Sequence, residues 1–107
     1  MSRLASRVGT RPEAIRLATA DAATVWTLRV QASEAWDAVR VEVAPVTPVR
    51  AVKLAVLAVL LPGVSAADVV VKLRGMSVRS EDDSVEAAGA IDGSTLLLVP
   101  RDRKGSL

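Results

Sequence analysis

The 107-residue chain has no cysteine, histidine, tyrosine or phenylalanine, and only two tryptophans. Without thiols or imidazoles it can form no disulfide, thiolate nucleophile, cysteine- or histidine-held zinc site or imidazole acid–base pair. Any chemistry of its own would rest on carboxylates, hydroxyls, lysine or arginine, and no constellation of these marks a catalytic centre. The expectation is therefore no enzyme, no catalytic residue, no metal and no cofactor. A basic surface interleaved with aromatics is missing as well, so nucleic acid is not an expected partner. Charge is nearly balanced: eleven arginines and three lysines stand against twelve acids, giving +2 and a sequence pI of about 9.7. The longest apolar block, residues 54–61, lies between Lys53 and Pro62. It is far shorter than the roughly 20 residues a membrane-spanning helix needs, so it reads as a core helix.

What is present is enough for one domain, since half of the residues are hydrophobic. Residues 1–24 form an extension rich in Arg, Ser, Thr and Ala, with Glu13 and Asp21 as its acids. Two readings stand for it, a disordered segment and an organelle transit peptide of mitochondrial type. Within it, Thr10 and Glu13 have capping-box spacing around Pro12, which predicts a short helix over residues 12–20. From Val25 the period becomes two. Trp26, Leu28 and Val30 alternate with polar residues, as do Val39, Val41 and Val43, which predicts two strands joined as a hairpin through residues 33–37. Trp26 reads as core; Trp36 has outward parity near the hairpin end, where a packed loop anchor is the plainer reading.

Thr47 as N-cap and Pro48 at the first helical position open a helix over residues 48–61, ended by Pro62-Gly63. Val49, Val52, Val56 and Val59 form the stripe that faces the sheet, while Leu54, Leu57 and Leu61 form a second stripe away from it. Val69-Val70-Val71-Lys72-Leu73 is a third strand, Arg74-Gly75 a turn, residues 85–89 one helical turn, and residues 95–99 the last strand, stopped by Pro100. Glu81, Asp82, Asp83 and Glu86 lack the ligand spacing and glycine of a calcium loop and read as a solvated acidic loop. The order strand, strand, helix, strand, short helix, strand is the α+β layout of a mixed four-stranded sheet curled over one main helix. The divisions are an N-terminal extension (1–24), a folded domain (25–100) and a flexible C-terminal tail (101–107).

The tail Pro100-Arg101-Asp102-Arg103-Lys104-Gly105-Ser106-Leu107 carries a glycine where a carboxyl terminus could be made. Lacking a Cβ, such a glycine threads crevices closed to any side chain, and its carboxylate can be adenylated and passed to a thiol. On composition alone the run is a solvated, charged terminus. It resembles, however, the end of precursors of the ubiquitin-fold modifier family of the ufmylation pathway: Pro-Arg-Asp-Arg, one residue, Gly, Ser and a last residue. Thr47-Pro48-Val49-Arg50-Ala51-Val52 is similar to that family's Thr-Pro-x-x-Ala-Val at the helix start. Asp92-Gly93-Ser94 before Leu96 resembles the turn entering the last strand of this family and of ubiquitin. The resemblance spans residues 25–107.

It implies a ubiquitin-like β-grasp fold with the first and last strands parallel and adjacent, and a modifier that itself catalyses nothing. A cysteine protease would cleave between Gly105 and Ser106. An E1-type activating enzyme, an E2-type conjugating enzyme and a ligase would then join Gly105 to lysines of target proteins through an isopeptide bond. Arg101 and Arg103, with Lys104, would steer the tail into acidic grooves. A short extended segment of the activating enzyme would dock between the helix and the second strand, at Leu54 and Leu57, adding a strand beside Arg40-Val41-Glu42. The alternative is that the N-terminal extension covers this stripe. By parity Leu97 and Val99 face outward with Val70 and Lys72, a face that is either a recognition patch or scattered surface apolars. Lys72 stands where ubiquitin's patch has its central isoleucine. Three further departures from the family stand out: Lys104 replaces an apolar residue, Leu107 replaces the usual terminal cysteine, and the chain-linking lysine aligns near Ile91. The implied protein is a cytoplasmic monomer, reaching nucleus or ER through its conjugates; the transit-peptide reading would make it mitochondrial. The competing function is a non-covalent ubiquitin-like interaction domain with an uncleaved tail. A sulfur carrier of the same fold is disfavoured by Lys104, since such carriers end in two glycines.

Overall fold

A computed structural model describes residues 14–33 and 37–101 of the protein. Among the described residues the strands are β1 (Ala14–Arg16), β2 (Trp26–Ala32), β3 (Asp37–Val43), β4 (Val69–Leu73), β5 (Met76–Ser77) and β6 (Thr95–Pro100), with one helix, α1 (Val49–Leu60), and a 3-10 turn at Ala66–Asp68. They form one sheet in the order β1-β3-β2-β6-β4-β5. β2 and β6 run parallel at its centre, β3 and β4 are antiparallel to them on either side, and β1 is parallel to β3. This is the β-grasp arrangement expected, with β2 and β6 adjacent as implied. Among the described residues the sheet has six strands rather than four, because β1 and β5 add one short strand to each edge. No helix among the described residues is long and apolar enough to cross a membrane.

Alternation does the sorting along each strand. Leu28, Val30, Val39, Val41, Val43, Val71, Leu96 and Leu98 are buried on the face that meets α1. With no Phe or Tyr to fill it, the core is built from branched aliphatics, which suit both a pleated sheet and a narrow gap to the helix. Trp26 packs, half-buried, against the margin of this cluster. From α1, Val49, Val52 and Val56 are buried as expected. Leu57 is too, at 4% exposure, so the second stripe is corrected: the inward stripe is wide and includes Lys53 and Leu57, and of Leu54 and Leu57 only Leu54 is open to solvent. Trp36 lies outside the described residues.

The helix start also differs from expectation. Pro48, not Thr47, occupies the cap position and makes no side-chain bond. Thr47 Oγ1 instead accepts the Ala44 N–H at 3.1 Å, tightening the turn out of β3. The leading amides of α1 are satisfied from across the chain: Val49 N–H donates to the Asp83 carbonyl at 2.9 Å and Arg50 N–H to that of Glu81 at 2.8 Å. The same loop supplies carboxylates. Lys53, 3% exposed, donates to both Glu81 oxygens at 2.9 Å, and Arg50 pairs with Asp82. The acidic loop is thus a clamp on α1 and not merely solvated.

Two turns position β5 and β6. Arg74 and Gly75 both take positive φ, the combination of a tight hairpin turn, which folds β5 back on β4. Before β6, Asp92 accepts the Thr27 N–H at 2.8 Å, Gly93 (φ +90°) donates to the Thr27 carbonyl at 3.0 Å, and Ser94 Oγ accepts the Ile91 N–H at 2.9 Å. Asp-Gly-Ser therefore fastens the entry of β6 to the start of β2. The helix expected over residues 12–20 is corrected as well, since residues 14–16 form a strand. An isolated helix of that length is marginal, whereas the open edge of β3 offers backbone partners.

Glu81→Ala would strand the Lys53 ammonium in the core. It is expected to lower the unfolding free energy by roughly 3 kcal/mol, near the low end for breaking a buried pair because Glu81 keeps some water. Replacing both partners, K53M/E81L, should come within about 1 kcal/mol of the parent. Equilibrium urea unfolding of the three proteins checks this.

Candidate functional site

The outward face of the sheet divides in two. On the β4–β6 half, Val70 lies opposite Val99 and Lys72 opposite Leu97, with Gln31 of β2 on the other side of Leu97. Val70, Leu97 and Val99 are half-buried by one another and form a continuous apolar strip, with Lys72 beside it. A depression of about 590 Å³ borders the strip, lined by Gln31, Lys72 and Leu97 and rimmed by Arg74 and Ile91. Ile91 is 58% exposed, a solvent-facing aliphatic at the rim. On the β2–β3 half the face is polar and cationic. Arg29 sits directly opposite Arg40, and both are exposed.

The strip runs straight into the tail. Pro100 pairs with Val69 as the last residue of β6, and Arg101 is then held twice by the 3-10 turn. Its N–H donates to the Asp68 carbonyl and its Nε to the Ala67 carbonyl, both at 2.8 Å. A groove of about 520 Å³ opens beside it, where Arg50, Arg79 and Arg101 face Glu81 and Asp82. The cationic steering role given to Arg101 from sequence thus has a backbone-anchoring counterpart, for which the sequence carries no signal. Arg103, Gly105 and Ser106 lie outside the described residues.

The second expected surface is arranged differently. The edge at Arg40-Val41-Glu42 is filled by the chain itself: Ala14, Ile15 and Arg16 pair with these residues in parallel. Val41 is fully buried, Arg16 reaches the Glu42 carboxylate at 2.7 Å, and Leu17 and Ala18 donate to the Glu42 carbonyl at 2.8 and 3.1 Å. Of the residues proposed to meet a partner there, Arg40 and Leu54 are exposed, while Val41 and Leu57 belong to the core. The period-two pattern of Ile15 and Leu17 around Arg16 is the signal that a strand, not a helix, starts there. Among the described residues no acidic cluster is arranged to hold a metal ion.

Comparison with known proteins agrees with the fold. A scan against protein-family models and a search of curated proteins found no match. Among solved structures, the chain is similar to the ubiquitin of Caldiarchaeum subterraneum at 20% identity, with a TM-score of 0.62 over 77% of this chain and 100% of that one. It is also similar to a ubiquitin-like domain of an Arabidopsis thaliana protein (13% identity, TM-score 0.62, 78% of this chain and 86% of that one). The N-terminal ubiquitin-like domain of a third protein matches at 21% identity and a TM-score of 0.60, over 83% and 88%. The fold is ubiquitin-like.

The parity of β6 can be checked by paired substitutions. Leu98→Ala, in the core, is expected to cost about 2–5 kcal/mol, whereas Leu97→Gln, on the outer strip, should change stability by no more than about 1 kcal/mol. Thermal unfolding of both variants measures the contrast.

Proposed function

We propose that the chain is the precursor of a ubiquitin-like protein modifier of the ufmylation type. The observation that carries this reading is the run from Pro100 to Leu107, which starts at the last residue of β6 in a ubiquitin-like body. Hydrolysis of the Gly105–Ser106 bond by a cysteine protease releases Ser-Leu and leaves the Gly105 carboxylate. An E1-type enzyme adenylates that carboxylate with ATP, releasing pyrophosphate, and its thiolate displaces AMP to form a thioester. The acyl group passes to an E2-type thiol, and with a ligase a target lysine amine attacks it, expelling the thiol and forming the isopeptide bond. The modifier contributes the acyl carbon, a cationic tether in Arg101, Arg103 and Lys104, and the outer strip of Val70, Leu97 and Val99 beside Lys72 as a recognition face. Lys104 and Leu107 make the cleavage site more polar before the glycine and more apolar after it than in the family, so a matching protease subsite is part of the proposal. Conjugation in the cytoplasm is the setting that suits this chemistry.

The test is the intact mass of the protein purified under denaturing conditions from its native cells, alongside a Gly105→Ala variant. A mass ending at Gly105, with heavier conjugates that the variant lacks, is the expected result. A chain ending at Leu107 without conjugates would overturn it and leave a non-covalent interaction domain. The same spectrum reads the N-terminus, where loss of the leading residues would indicate import into an organelle.

A further inference from the structure

Arg29 and Arg40 are a pair on the outer face for which the fold gives no internal reason. They stand directly opposite each other on β2 and β3. Because the Arg29 N–H donates at 2.9 Å to the Ser94 carbonyl, on the β6 side, the two residues form a non-hydrogen-bonded pair, the closer kind, with Cα atoms about 4.5 Å apart. Like charges set opposite in this way destabilise a sheet. Among the described residues nothing offsets the repulsion, since neither side chain makes an ion pair or a hydrogen bond. Glu42, two positions along β3 on the same face, is the carboxylate placed to do so, and it is engaged by Arg16 at 2.7 Å. The row across the sheet reads Ala14, Arg40, Arg29, Thr95. Its outer members are small, so no large side chain crowds the arginines from either strand, and Thr95 sets an exposed hydroxyl beside them.

We propose that Arg29 and Arg40 together hold a phosphoserine or phosphothreonine side chain of a partner protein. The charges match: two guanidiniums meet a group that carries about −1.5 to −2 and offers three acceptor oxygens, whereas one carboxylate would leave a cation unanswered. The forked donors of arginine suit such a group, and the Thr95 hydroxyl can donate to an oxygen that they leave free. The anion also relieves the repulsion already built into the pair. The extent of the patch decides against a polyanion. One row along the sheet lies Glu42, and one row the other way lie Gln31 and Leu97, so a nucleic-acid strand leaving the arginines would run onto a carboxylate or onto aliphatics. Both arginines are exposed on a sheet face, while free small molecules are held in concave sites, so the group arrives on a macromolecule. Association at this face is thereby set by phosphorylation of the partner. The inference concerns the folded body and does not depend on the fate of the tail.

The probe is the capped peptide Ala-Gly-phosphoserine-Gly-Ala, titrated by amide and arginine Nε NMR into the full-length chain and into the full-length variant R29T/R40T. The same peptide with serine and with glutamate in the central place is titrated alongside. Shifts are expected at residues 28–30, 39–41 and 95, with the phosphopeptide bound at least about tenfold more weakly by the variant and the serine peptide not bound. Equal affinity of the phosphopeptide for both proteins, shifts elsewhere, or no binding overturns the proposal. A glutamate peptide that matches the phosphopeptide overturns it in favour of a carboxylate partner. An oligothymidylate that binds the parent more tightly than the phosphopeptide, and loses that binding in the variant, overturns it in favour of nucleic acid. Removing like charges should leave the thermal midpoint of R29T/R40T at or above that of the parent. Should the double variant melt lower, R40T is titrated in its place, where a clear loss of affinity is expected and full affinity overturns the proposal.

Discussion

The parallel pairing of β2 with β6 is the constraint on which the rest hangs. Two parallel neighbours cannot be joined by a tight turn, so the chain between them must cross over, and the crossover is where α1 lies on the sheet. Once β2 and β6 occupy the centre, β3 can extend the sheet only on one side and β4 only on the other. The Asp92-Gly93-Ser94 turn sets the register of the pair by bonding to Thr27, which places Leu96 and Leu98 inward and Leu97 and Val99 outward. The outer apolar strip is therefore a consequence of register: shifting β6 by one residue would bury Leu97 and expose Leu98.

A core without Phe or Tyr leaves little volume to hold α1, and the loop of residues 78–84 compensates. Carbonyls of Glu81 and Asp83 take the leading amides of the helix, and the Glu81 carboxylate neutralises Lys53 beneath it. The pair is retained at a cost in desolvation that an apolar pair would not carry. Its geometric return is a fixed docking of the loop over the helix start, which also forms one wall of the groove beside Arg101. The helix clamp and the tail base thus share residues, and the stability of one is coupled to the shape of the other.

How much of this is legible in the sequence follows from which interactions are local. The alternation in β2, β3, β4 and β6 and the valine stripe of α1 are period signals, and the structure has those elements within a few residues of the expected ends. Thr47 misleads because capping chemistry assumes that a helix start must satisfy itself, whereas here Glu81 and Asp83 do so from more than thirty positions away. Leu57 misleads because two narrow stripes cannot be told from one wide stripe by spacing alone. β1 misleads because a capping box and a short alternating run coexist in residues 10–17, and only the vacancy at the β3 edge decides between them. For the outer strip, parity alone suffices; the anchoring of Arg101 by Ala67 and Asp68 depends on a 3-10 turn that no spacing announces.

The two ends of the described residues are consequently held in opposite ways. The C-terminal run leaves a central strand through Pro100, with Arg101 tied to the backbone of the 3-10 turn, so its point of departure is fixed relative to the Val70–Val99 strip. Residues 14–18 lie along β3 through three parallel pairings, the Leu17 and Ala18 amides on the Glu42 carbonyl and one exposed ion pair, so they are held at one edge of the sheet. Pro100 and Arg101 thus keep a fixed relation to the strip, whereas residues 14–18 meet the body along one strand edge. Because β3 lies beyond β2 from β6, the two surfaces are separated by β2 and share no residue. Occupying one leaves the other geometrically free.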